Sequence, residues 1–206
     1  MSSLRSHPVS RAALGILLIV ALILTYRISL GQTAHSKSYA RMTDRSSINP
    51  IPKLEVTLKQ TSASPTTVQV SVTNKNDYAV TVLSYDSPLD VMALSLGLVT
   101  ITPDGASKPL NLPKRQVRRV MPPPSDALIP IAPGKTATSD IMLAGSGVEE
   151  ALRSVSKVSV RILGNWQAVW AKRKEDIGEV KLGGVQPDPA VFSGGFSSEA
   201  VHVTVG

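Results

Sequence analysis

The sequence predicts an all-β domain built as a two-sheet antiparallel sandwich, and three observations predict it. From Leu54 to Leu83 three apolar runs alternate with polar residues and are separated by two polar turn clusters. Aromatic residues make up only 4% of the chain while valine recurs throughout, which favours β-branched strands over helical packing. The 15 prolines and 14 glycines are scattered throughout, and they divide the chain into short elements joined by many turns.

Ahead of the domain, Ala12 to Tyr26 (AALGILLIVALILTY) is an uncharged apolar run between Arg11 and Arg27, behind the basic leader MSSLRSHPVSR. As a helix it would span about 22 Å, short of the roughly 30 Å hydrocarbon core of a bilayer. Residues 1–31 therefore read as an N-terminal hydrophobic helix with an export role, and its length favours a cleaved signal peptide over a signal anchor. Ser29-Leu30-Gly31 and Ala34-His35-Ser36 offer the small residues a signal peptidase reads. If uncleaved, Arg27 would snorkel and residues 12–30 would form a single-pass anchor with the domain outside, which is the one membrane contact the sequence predicts. Residues 32–52 are polar, Ser-rich and closed by Pro50 and Pro52, the composition of a disordered linker. The β-sandwich domain is expected over 53–206.

Within it, Leu54, Val56 and Leu58 alternate with polar neighbours, as do Val68, Val70 and Val72, and Ala79 to Leu83 supply a third run. Ser62 to Thr66 and Asn74 to Asp77 are the turns between them. Strands are further expected at Leu98 to Thr102, Arg115 to Val120, Leu128 to Ile131 and Ala137 to Leu143. Pro122-Pro123-Pro124 must lie at an edge or in a loop, because proline cannot donate to a ladder. Gly147 to Ser154 is the one short helix expected. Val155 to Trp170 reads as two strands or one broken near Gly164-Asn165, Lys172 to Gly195 as a long irregular loop, and Glu199 to Val205 as the last strand. Short strands at this spacing fit an immunoglobulin-like sandwich.

The formal charge is +7, but Arg5, Arg11 and Arg27 flank the hydrophobic run, and without them 19 basic residues face 15 acidic ones. An excess of four, with no aromatics interleaved among the basic residues, does not fit a nucleic-acid partner. The chain has no cysteine, which excludes thiolate chemistry, CxxC redox sites and Cys-ligated zinc. Its three histidines, His7, His35 and His202, are too far apart for any pair to have ligand spacing. No cofactor, metal site or catalytic constellation is predicted.

The order of elements in the domain resembles the N-terminal pro-domain of fungal deuterolysin-type zinc metalloproteases. The resemblance rests on the Leu54-x-Val56-x-Leu58 strand, the strand pair up to Leu83, the Ser87-Pro88-Leu89-Asp90 element, the Arg-rich Lys114 to Arg119, the Ile131-Ala132-Pro133-Gly134 turn, and a Ser-rich C-terminal segment with an alternating Val strand. The HExxH helix that binds zinc in the protease half of such precursors is absent from this sequence. The resemblance thus implies a stand-alone pro-domain-like protein, without catalytic activity, whose protein partner would be a zinc metalloprotease.

Two candidate surfaces follow. Arg115, Arg118 and Arg119 would line a basic edge strand, either as solvated charges that deter edge pairing or as contacts to an acidic partner. Trp166 and Trp170, four apart on one strand, would point the same way, into the core by default and outward as a sugar-binding platform in an adhesion module. Lys172-Arg173 is the expected dibasic processing site, in a loop. Asp86 and Asp90 are close enough for acid/base work or calcium, although turn capping is the expected role, and Leu89 between them would plug the core. The leading expectation is a secreted or tethered interaction protein. A glycan- or protein-binding scaffold and a functionless remnant of a protease precursor are the alternatives.

Overall fold

A computed structural model describes residues 49–145, 147–178 and 190–206. The predicted export segment and most of the predicted linker lie outside the described residues. Among the described residues nine strands follow in order: β1 (Leu54–Ala63), β2 (Thr66–Asn74), β3 (Val80–Leu83), β4 (Val99–Pro103), β5 (Leu128–Ile131), β6 (Thr136–Met142), β7 (Lys157–Trp170), β8 (Val191–Ser197) and β9 (Val201–Thr204). A single turn and a half of helix, α1 (Val148–Leu152), precedes β7. Ile51 and Pro52, expected in the linker, form a 3-10 turn with Lys53, and Ile51 packs against the core.

All pairings are antiparallel. One sheet has the order β1-β2-β6. The other is organised by β7, which at 14 residues is continuous through Gly164-Asn165 rather than broken there. Its first half pairs with β4 and β9 and its second half with β3 and β8, and β3 carries β5 on its far side. The C-terminal segment therefore runs along one edge of β7 as β8 and then β9, while β4 and β3 share the opposite edge. Val191 to Gly195, predicted as part of the irregular loop, belong to β8 (Val191–Ser197), because β7 offers them a ladder that the Ser-Gly-Gly composition does not announce.

The sandwich closes over the inward rows of both sheets. In β2 every second residue is buried, and Val68, Val70 and Val72 meet Val80, Val82, Ile101, Ile131, Val158, Val160, Ile162 and Trp166 in one cluster. Burying each such aliphatic side chain contributes about 1.5–3 kcal/mol. A second, smaller cluster of Leu83, Ala127, Leu128, Ala168 and Trp170 is covered by Tyr85, Ile177 and Val191. Gln60 ties the two sheets at their edge: its Nε2 donates to the Thr204 carbonyl at 2.7 Å and its Oε1 accepts the Thr204 N–H at 3.0 Å.

The turn after β2 is held by a buried amide pair. Asn74, fully buried, donates through Nδ2 to the carbonyls of Tyr78 (2.8 Å) and Ile131 (2.9 Å), while its Oδ1 accepts the Asn76 N–H at 2.9 Å. The expected turn at Asn74 to Asp77 is thus an anchor between the sheets as well as a bend.

Candidate functional site

Arg115 to Val120 is not a strand. Prolines at 109, 113 and 122–124 interrupt the chain's donors around it, and the segment runs instead as an irregular strap over the loop that follows β3. Leu110 donates its N–H to the Ile101 carbonyl at 2.8 Å, and Leu110 and Leu112 pack against the core. The Arg115 N–H bonds to the Ser95 carbonyl at 2.8 Å. The Lys114 stem lies over Gly97, where a Cβ would come within 2.7 Å of Lys114 Cε, and the φ of 76° at Gly97 favours glycine at this crossing.

The clamp of the strap is Arg119. Its Nη2 pairs with Asp90 Oδ2 and lies 3.7 Å from Asp86 Oδ1, and its guanidinium sits 4.8 Å from the centroid of the Tyr85 ring. Asp90 is 3% exposed, and its carboxylate also accepts the N–H groups of Asp86 (2.8 Å) and Met92 (2.9 Å). The charge is therefore compensated from three directions, as burial of a carboxylate requires. Asp86 occupies the left-handed region at φ 53°, a conformation that Asp tolerates better than most residues. Turn capping, the role expected of this acidic pair, is taken by the Asp90 carboxylate, while the Asp86 carboxylate faces Arg119; the ion pair to Arg119 is the addition. Leu89 is buried in the core as expected.

The clamp leaves apolar side chains in solvent. Among the described residues Val91 is 84% exposed, Val120 68% and Met121 51%, and the Asp90–Arg119 pair holds their two segments together. Lys114, Arg115 and Arg118 are exposed on the same strap, and no acidic residue occurs from 106 to 125. Arg115 and Arg118 are thus surface groups free for contact, whereas Arg119 is spent on the fold.

The two tryptophans do not form an exposed platform. Trp166 is 1% and Trp170 2% exposed, so core packing, the default expected for both, is what they do. Nor do they point the same way. A β-bulge between Trp166 and Val169 offsets the alternation and sends Trp166 into the main core, 5.2 Å from the Phe196 ring, and Trp170 into the smaller cluster on the other face. At Lys172-Arg173 the Lys172 carbonyl accepts a hydrogen bond from Thr81 Oγ1 at 2.9 Å, and Arg173 pairs with Asp176 at 3.3 Å. Among the described residues no group of three or more His, Asp or Glu side chains converges, and no helix is long and apolar enough to cross a membrane.

A family model described as an immunoglobulin-like domain matches residues 53–205. The chain belongs to the immunoglobulin-like domain family. This immunoglobulin-like domain is also 32% identical over 160 residues to an uncharacterized secreted protein of Arthroderma benhamiae, an alignment covering 74% of the present chain and 79% of that relative. The predicted fold class is the observed one: two antiparallel sheets, the second organised around β7, with the basic strap laid outside.

Proposed function

We propose that this chain is a secreted, non-catalytic interaction protein that binds an acidic protein surface through its strap. The observation that carries the reading is the clamp: Arg119 and Asp90 fix an exposed apolar group, Val91, Val120 and Met121, and the same strap carries the exposed cations Lys114, Arg115 and Arg118. An apolar centre rimmed by charge is the composition of a protein contact surface, and rigid presentation lowers the ordering cost of binding. Secretion is supported by the apolar run behind a basic leader and by the relative described as secreted. The resemblance to deuterolysin-type pro-domains makes a separately encoded zinc protease the partner of choice, with the strap capping its cleft.

The test is a titration of such a protease with the full chain. Activity should fall as the chain is added, and Arg118→Glu should weaken the effect by about tenfold or more, since reversing a charge at the rim costs roughly 1–2 kcal/mol of complementarity. Unchanged protease activity at saturating chain refutes the assigned partner. Equal inhibition by Arg118→Glu refutes the assigned surface. The glycan-binding alternative loses its aromatic platform to the core, and no other aromatic pair takes its place among the described residues.

A further inference from the structure

The sheet edges of this domain are treated unequally. On β5, Leu128 donates its N–H to Ser125 and Pro130 has none, so no donor faces outward from its free edge. On β4, the outward Ile101 carbonyl is taken by Leu110, and Pro103 ends the strand. β1 is bent by a register shift between Gln60 and Ser62 and joined to β9 through the Gln60 amide. The C-terminal edge is broken between β8 and β9. Each is a recognised way of blunting a strand edge.

Among the described residues β6 has no such device. Leu143 donates to Thr66 and Asn74 donates to Lys135, so the odd-numbered residues of this strand face β2 and the even-numbered ones face away. Thr136, Thr138, Asp140 and Met142 are all exposed, and no ladder bond to another described residue engages their outward groups. The strand has seven residues without proline, glycine, bulge or lysine. Asp140 is its one charge, and its Oδ1 is already engaged by Gln69 Nε2 at 3.1 Å.

We infer that β6 pairs with β6 of a second copy of this chain, antiparallel about a two-fold axis through Thr138, joining two three-stranded sheets into one. The register selects this occupant. With Thr138 on the axis, Thr136 faces the partner copy's Asp140, so a hydroxyl meets a carboxylate and the two carboxylates stay apart. Thr136 Oγ1, 2.8 Å from Thr73 Oγ1, can accept from Thr73 and donate to that carboxylate. A register centred on Asp140 would instead set like charges face to face, which is unfavourable. The inward neighbours Ala137 and Ser139 are small, so the approach is not obstructed. This surface is separate from the strap.

Sedimentation of the full chain, as released by the producing cell, should show a dimer whose fraction rises with concentration. Thr138→Pro removes an N–H that β2 does not use and should weaken association about tenfold or more while leaving the unfolding midpoint of the dilute, monomeric chain unchanged. Because the chain has no cysteine, Thr138→Cys gives a direct readout: the two Cα atoms on the axis would lie about 5.5 Å apart, within disulfide reach. It should form a covalent dimer on oxidation, whereas Ser71→Cys, in the middle strand of the same sheet, should not. A monomer at every concentration, or equal crosslinking at both positions, overturns the proposal; the cysteine variants decide it even if the proline variant fails to fold.

Discussion

Replacing Arg119 by Met should destabilise the domain by about 2–3 kcal/mol, and the figure follows from what is left behind. Asp90 is 3% exposed and would keep two backbone N–H donors but lose its one cationic partner. Exposed ion pairs are typically worth under about 1 kcal/mol, and breaking fully buried ones costs about 3–5 kcal/mol. The Arg119 side chain is 20% exposed, which places this pair between those limits and nearer the buried one. With a urea slope of roughly 1–3 kcal/mol per molar, the unfolding midpoint should fall by about 0.7–3 M. Asp90→Asn in the same background should recover part of the loss, because the amide oxygen still accepts an N–H and no uncompensated charge remains. A loss below about 0.5 kcal/mol, or no coupling between the two substitutions in a double-mutant cycle, would refute the claim that this pair holds the strap.

Three further outcomes test the packing argument. Asn74→Ala should cost about 3 kcal/mol in chemical denaturation, since it strands the buried carbonyls of Tyr78 and Ile131. Gly164→Ala should cost about 1–3 kcal/mol by thermal unfolding, because its Cβ would lie 2.8 Å from Phe196 Cζ, and pairing it with Phe196→Leu should relieve part of that. Gln60→Ala should lower stability by only about 1 kcal/mol but speed hydrogen exchange at the Thr204 amide, whose acceptor it removes.

The fold was legible where one face of a strand is buried and the other wet. Val68, Val70 and Val72 announce β2 because period-two alternation is the direct consequence of that environment. It was illegible where long-range partners decide. Arg115 to Val120 alternates well enough to suggest a strand, yet Arg119 turns inward to a carboxylate 29 residues away, a pairing that no local pattern carries. The Ser193-Gly194-Gly195 centre of β8 lacks strand propensity but is recruited by β7, and Gly194 leaves room for Ile51, to which a Cβ there would approach within 3.3 Å. The bulge in β7 changes the face of Trp170, and strict alternation could not foresee it. Of the residues proposed for contact, Arg115 and Arg118 are placed at the surface, while Arg119 and both tryptophans serve the fold.

The claim that the strap is the contact surface is tested most directly by hydrogen exchange on the chain with and without a deuterolysin-type zinc protease. The account predicts added protection confined to Gln116 to Met121 and to the Val91 loop, with β1 and β2 unchanged. Protection centred elsewhere on the domain, or none at concentrations that saturate inhibition, would contradict it.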